Sequence, residues 1–325
     1  MRILVTGGAG YIGSVVADHL LRAGHSVTVL DNLVMGWREA VPVNAEFVQA
    51  DTGDETTLDQ LFARRAFDAV LHFAALIEAG ESVKVPERYF DNNSARTLTL
   101  LRVMLKHEVT RFVFSSTAAV YGEPQSVPVA EEHPLTPTNP YGQSKLLVEQ
   151  MLVWFQRLHG LRYASLRYFN AAGATATRGE AHRSESHLIP LILQVPLGQR
   201  ESISIFGTDY STRDGTCIRD YVHVDDLAAA HLLALDGLQT HEQLICNLGS
   251  GEGFSVREIV ELAGRITGYA IPVRECPRRT GDPAVLVASS DKIRRLLGWT
   301  PRFSDVESII ASAWEWHKSH PHGYR

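Results

Sequence analysis

Gly7-Gly8-Ala9-Gly10-Tyr11-Ile12-Gly13 decides the fold. Residues 1–6 before it form a short apolar run, as in a buried parallel strand. After it, Val15, Val16, Leu20 and Leu21 fall at helical spacing. Glycines at 7, 10 and 13 give G-x-x-G-x-x-G, a variant of the dinucleotide fingerprint. Such a turn brings backbone close to a pyrophosphate at a helix N-terminus and packs the helix tightly on its strand. A second strand, residues 26–30, ends at Asp31. That carboxylate suits the adenosine ribose hydroxyls and repels a 2'-phosphate, so the expected cofactor is NAD rather than NADP. A glycine turn without a ligand is the alternative.

Working outward, apolar runs alternate with helical patterns through the first half of the chain. Residues 47–50 lead to Asp51 and Thr52, residues 69–73 to Ala74-Ala75, and residues 111–114 to Ser115-Ser116-Thr117. Each run ends in small or polar residues, as where strand C-termini face a ligand crevice. Asp51 is expected near the adenine, and Phe73 to Ala75 where a cofactor passes close to the backbone. Helices are predicted over 93–107 and 141–159. The fold class is α/β: a doubly wound, Rossmann-type parallel sheet. From about Asn170 the rhythm breaks into loops, short strands and a late helix. The expected division is 1–169 as an NAD-binding domain and 170–325 as a smaller C-terminal α/β substrate-binding region, with some segments returning to the first.

Tyr141 and Lys145 stand one helical turn apart, on one face, in Asn139-Pro140-Tyr141-Gly142-Gln143-Ser144-Lys145. An ammonium beside a phenol favours the phenolate, so Tyr141 is a candidate base. Moving a tyrosine from about 10 to near 7 takes roughly 4 kcal/mol of differential stabilisation. Lys145 and an oxidised nicotinamide are the expected sources. Alone, Y-x-x-x-K also describes an exposed helical pair; the glycine turn gives it meaning.

A net charge of -6 and pI near 6.2 offer no basic surface to nucleic acid or anionic lipid. No apolar stretch reaches membrane-spanning length, and no signal peptide is expected before the first strand. Cys217, Cys246 and Cys276 lack metal or disulfide spacing, so a reducing cytoplasm is expected. His182 and His187 are read as poor metal ligands, His187 as a loop contact, and no metal is expected.

Taken in order, these motifs resemble the extended short-chain dehydrogenase/reductases, and within them the UDP-glucose 4-epimerases, nearly end to end. Residues 7–13, 31–33, 73–76, 80–83, 89–93, 115–117, 120–122 and 139–145 carry the first half of the resemblance. Residues 167–170, 205–207, 214–216, 219–223 and 278–282 carry the second. The resemblance implies bound NAD, a UDP-sugar substrate and a homodimer formed through helices 93–107 and 141–159. It implies Tyr141 as base toward the sugar 4-hydroxyl, Thr117 bonded to that oxygen, and Lys145 on the nicotinamide ribose. Around the cofactor it implies Gly7, Gly10, Tyr11, Ile12 and Gly13, then Asp31, Asn32, Asp51 and Thr52. Phe73, Ala74, Ala75, Asn92, Ser115 and Tyr168 complete that set. For the substrate it implies Asn170, the His187-Leu188 backbone, Phe206 against uracil, Arg219 and Arg279 on the pyrophosphate, and Asp282 on ribose hydroxyls. Read from the residues alone, Arg219 is equally a structural bridge to Asp220 or Asp225, and Tyr168 a core aromatic.

Related dehydratases place an Asp-Glu pair after the active-site Ser/Thr, whereas Ala118-Ala119 follows Thr117 here. One hydroxyl, one phenol and one ammonium remain, a set suited to removing an alcohol proton. A non-catalytic NAD-binding module has no need of all three together. Three departures from the family pattern stand out. Ile77 replaces a Lys that touches the cofactor in some epimerases. Arg96 replaces a Gly and must reach solvent or a partner, which bears on local packing and the dimer contact. Leu286 falls near the position that gates sugar size, so UDP-N-acetylhexosamines are expected to fit.

Overall fold

The computed structural model describes residues 1–279 and 281–324. Strands β1 (Arg2–Thr6), β2 (Ser26–Asp31), β3 (Glu46–Gln49), β4 (Ala69–His72), β5 (Arg111–Thr117) and β6 (Arg162–Tyr168) form one parallel sheet with Gln243–Leu248. The order runs Gln243–Leu248, β6, β5, β4, β1, β2, β3. Strand order reverses between β1 and β4, and ligands of such sheets bind beyond the strand C-termini at that switch.

Each strand divides its side chains between two cores, as the two-residue period requires. Ile3 and Val5 pack with Val15, Val16 and Leu20 of helix Tyr11–Arg22 and with Leu227 and Ala234 of helix Val224–Gly237. Leu4 faces the opposite layer, where Leu58, Leu100, Leu101, Val148 and Leu152 come from helices Glu55–Arg64, Arg96–Lys106 and Pro140–His159. Near-continuous burial in β1, β2 and β4 explains why they read as unbroken apolar runs. A third core joins helices Leu188–Leu193, Val256–Thr267 and Val306–Ser319 and builds the smaller C-terminal region. Gln243–Leu248 crosses back to complete the large sheet beside β6.

The Tyr141 helix is fixed at both ends by sequence. Asn139 accepts from the Gly142 amide at 2.9 Å, Pro140 occupies the first turn, and Gly160 closes the helix at φ 68. Gly142 is required for packing, since a Cβ there would lie 2.5 Å from the Ala119 carbonyl. The predicted helix 93–107 begins as a π-type turn, Phe90–Ala95, before the α-helix Arg96–Lys106. That turn aims Asn93 at Leu76, whose amide it accepts at 2.8 Å, and at Ser144 Oγ, to which it donates at 3.0 Å.

Three histidines are folded into these cores. His72 lies between Thr6 and Thr97 hydroxyls at 2.6 and 2.9 Å, and burial lowers its pKa to about 3. Burial also lowers His223 and His231 to about 4. Their folded values lie below the ordinary 6.5, so the unfolded chain binds more protons as pH falls under about 6.5, and stability falls with it. From pH 7 to 5.5 the three together remove roughly 4 kcal/mol. Thermal melts across that window should show the decline, and His72→Asn should flatten it.

Candidate active site

The sheet switch point opens into a cleft of about 920 Å³. Gly7, at φ 72, lies so close to β4 that a Cβ would stand 2.4 Å from the Ala74 nitrogen. A Cβ on Gly13 would lie 2.3 Å from the Gly7 carbonyl. Gly10 caps helix Tyr11–Arg22 with no side chain, leaving the helix N-terminus open to an anion. Asp31 closes the next strand, its two oxygens accepting the Ala9 and Leu33 amides at 3.0 and 2.8 Å. Burial raises its pKa and those amides oppose the rise. This is a cradle only a bare backbone fits, with a carboxylate at the ribose end. The residues present therefore suit a dinucleotide, and one without a 2'-phosphate.

All the cofactor-side residues expected from the sequence line this one cleft, together with Thr117, Asn170 and His187. At its adenine end Asp51 accepts from Asn32 at 2.8 Å and from the Gly53 amide at 2.7 Å. Arg96 joins them, with 2.6 Å to Asp51 and 2.9 Å to Asp91. Of the two expectations, solvent or a partner, the fold meets the second: the partner is intramolecular and acidic, and Arg96 lines the cleft. Ile77 lines it too and brings no polar group.

At the other end, Thr117 terminates β5 and lines the cleft together with Tyr141. Lys145 is 3 % exposed, and its ammonium donates to the Ser115 carbonyl at 2.8 Å and lies 4.9 Å over the Phe114 ring. Here the electrostatics correct the sequence expectation. Lys145 shares a helix face with Tyr141 but is anchored to β5, and the phenol stands above its ordinary value. Burial raises Tyr141, Thr117 opposes that, and Glu78 adds to it. Burial lowers Lys145 to about 7.

Glu78 escaped the sequence reading. It lines the cleft, and its buried Oε1 has no hydrogen-bond partner among the described residues. Nothing in its spacing marks it. Tyr168 is a core aromatic whose buried ring forms part of the cleft wall, with its hydroxyl bonded to His231 Nε2.

The remaining substrate-side residues sit apart from the large cleft. Leu188 opens helix Leu188–Leu193 and packs toward the third core. Arg219 pairs with neither Asp220 nor Asp225 but with Asp282, and donates to the Ile218 carbonyl at 2.7 Å. Asp220 is wholly buried and accepts from the Ser250, Gly251 and Ala288 amides. Arg279 stacks on Phe206, its guanidinium 3.9 Å from the ring centre. Arg279 and Asp282 line a second cavity of about 340 Å³ with Tyr210 and Arg278. Two predicted substrate carriers thus hold each other, and a third covers the ring of a fourth.

His182 and His187, set aside as metal ligands, are brought to 5.0 Å between ring centres by a bend at residues 183–184. Burial alone would lower His187, but Glu180, with Glu185, raises it well above its ordinary value.

Residues 3–249 match the model of the NAD dependent epimerase/dehydratase family. The chain belongs to that family. Its cofactor is NAD, which the glycine cradle and Asp31 fit. The chain is 53% identical to the UDP-glucose 4-epimerase of Halalkalibacterium halodurans, covering 100% of this chain and 98% of that one. It is 55% identical to that of Streptomyces lividans, over 99% and 98%. A crystal structure of a UDP-glucose 4-epimerase superposes with TM-score 0.97 at 50% identity, covering 100% of both chains. The enzyme of Stenotrophomonas maltophila, with bound NAD and formylated UDP-arabinopyranose, gives 0.95 at 41% over 99% of both. The UDP-Glc/GlcNAc 4-epimerase of Campylobacter jejuni gives 0.86 at 43%, over 98% and 99%.

Proposed function

We propose that the chain is a UDP-glucose 4-epimerase, interconverting UDP-galactose and UDP-glucose through a 4-keto sugar. The observation that carries this is the set Thr117, Tyr141 and Lys145 at one end of a dinucleotide cleft, with no acid-base pair after Thr117 for elimination. Bound NAD supplies the acceptor and donor for the hydrogen on C4. Gly7, Gly10, Gly13 and the amide N-terminus of helix Tyr11–Arg22 hold its pyrophosphate, and Asp31 the adenosine ribose. Tyr141 takes the 4-hydroxyl proton, and Thr117, which favours the phenolate, holds the same oxygen. Lys145, anchored on Ser115, would bond to the nicotinamide ribose of the bound cofactor. Burial raises the phenol and Lys145 is held on Ser115, so an oxidised nicotinamide would supply the cationic charge that favours phenolate. Residues 170–325 form most of the UDP-sugar side. Asn170 and His187 line the cleft there, and Arg219, Arg279, Asp282 and Phe206 must exchange their mutual contacts for the nucleotide. Binding energy remote from C4 anchors UDP while the keto sugar turns.

Given UDP-galactose, the purified chain should bring UDP-galactose and UDP-glucose to a fixed ratio by anomeric proton NMR. Unchanged UDP-galactose, with NAD added, contradicts the proposal.

UDP-N-acetylhexosamines belong to the same proposal. Leu286 pairs with Arg219 on the small sheet and packs against the core of Ala118, Val120 and Leu146, just beyond Thr117. Leu286→Tyr should lower kcat/KM for UDP-N-acetylglucosamine about 10- to 100-fold and leave UDP-galactose within about 3-fold. Equal loss on both substrates would show that Leu286 does not gate.

Two copies are proposed to pair through helices Arg96–Lys106 and Pro140–His159, on which Leu98, Trp154 and Leu158 are 37%, 59% and 69% exposed. No described helix is long and apolar enough to cross a membrane, and all three cysteines are free, as suits a reducing cytoplasm.

A further inference from the structure

The segment from Glu180 to His187 gathers four donors apart from Thr117, Tyr141 and Lys145, three of them, Glu180, His182 and His187, on the wall of the same cleft. Glu180, His182, Glu185 and His187 each offer one atom, and those atoms all lie within 4.8 Å of one another. His182 Nε2 is 3.1 Å from Glu180, and His187 Nδ1 is 2.9 Å from Glu180 and 3.0 Å from Glu185. Both carboxylates are buried, their side chains 6% and 8% exposed. A single proton on His187 Nδ1 must be shared between both short contacts, and a shared hydrogen bond is bent and weaker than a linear one. An ion at the centre bonds to both. Zinc-class bonds of about 2.0–2.2 Å to nitrogen and oxygen put neighbouring tetrahedral donors roughly 3.3 Å apart; the three short contacts lie near this, and the other pairs, within 4.8 Å, draw in on the ion.

The surroundings hold the segment still. A Cβ on Gly179 would lie 2.2 Å from the Trp316 ring, and the Tyr324 hydroxyl accepts from the Gly179 amide at 3.1 Å. His320 stacks on the same Trp316 at 4.8 Å. Tyr11, from the glycine turn, meets His182 edge-on at 6.5 Å. Two imidazoles and two carboxylates also balance a divalent ion: two negative charges and two neutral nitrogens leave no net charge on a wall where both carboxylates are buried and His187 is 41% exposed.

We propose that Glu180, His182, Glu185 and His187 form a site for one divalent transition ion of the zinc class. The ion ties the bend at 183–184 to the wall and fixes the entry to helix Leu188–Leu193. Binding requires both imidazoles neutral at the liganding nitrogen, so it releases protons. The site stands independently of the catalytic reading and is tested without turnover.

Chelator-treated protein is titrated with cobalt(II), followed by visible absorption. The expected result is one ion per chain, with the intense bands of four-coordinate cobalt that zinc abolishes, and a melting temperature raised by zinc. The Glu180→Gln/His182→Asn variant should bind at least about 10-fold more weakly and lose the zinc-induced rise. Far-ultraviolet circular dichroism checks its fold. Should it not fold, Glu185→Gln replaces it with the same weakening expected. A spectrum that stays that of aqueous cobalt, or equal binding by wild type and variant, would show that a proton alone occupies the cluster.

Discussion

Tyr141→Phe should lower kcat by about 10³–10⁴-fold, the upper range for losing a general base, while the protein keeps its fold and its NAD. The substitution removes one oxygen from a side chain whose ring sits at the start of a helix fixed by Asn139, Pro140 and Gly160. The cradle that holds the dinucleotide lies on different elements, at Gly7 to Gly13 and Asp31. Rate and cofactor content therefore separate: kcat falls, and NAD released on denaturation stays at the wild-type amount. Thr117 should not substitute, because its hydroxyl has a pKa far above that of a phenol and already accepts from the Ala119 amide at 3.1 Å. Near-normal turnover in the variant would remove Tyr141 from the chemistry.

Glu149→Ala should cost about 3–5 kcal/mol of stability, the largest effect expected of any single change away from the cleft. Glu149 lies one turn beyond Lys145 on the Tyr141 helix. It meets Arg167 of β6 in a two-pronged pair, at 2.6 and 3.0 Å, with side chains 5% and 3% exposed. Arg167 also donates to Tyr121 at 2.8 Å, and Tyr121 to Asn247 at 2.6 Å. Removing the carboxylate strands a guanidinium in the core, whereas removing both charges does not. Urea melts should accordingly show Glu149→Ala/Arg167→Met to be more stable than Glu149→Ala. Equal stability of the two would mean the charge is not what is being paid for.

Both predictions start from residues of different legibility. The glycine turn and Asp31 could be read because their roles are local: a bare backbone, a helix N-terminus and an acid at a strand end all show in spacing. Tyr141 and Lys145 were legible as a pair for the same reason. What spacing could not show was where Lys145 points, because the Ser115 carbonyl that holds it lies 30 residues away on another strand. Arg96 was ambiguous until the fold brought Asp51, 45 residues back in sequence, beneath it. Arg219 was weighed against its sequence neighbours, yet its partner is Asp282, 63 residues on. His182 and His187 looked unpromising as two histidines five apart. The bend at 183–184 and the two glutamates only acquire meaning when all four donors converge. Local chemistry was readable, and long-range pairing was not.

The central claim is that the hydrogen leaving C4 returns to C4 without meeting water, and one measurement addresses it most directly. UDP-galactose is incubated with the purified chain in heavy water, with no NAD added, and followed by proton NMR. The account predicts UDP-glucose anomeric signals with a full proton at C4 in the product. Deuterium at C4, or no conversion even after NAD is supplied, would contradict it.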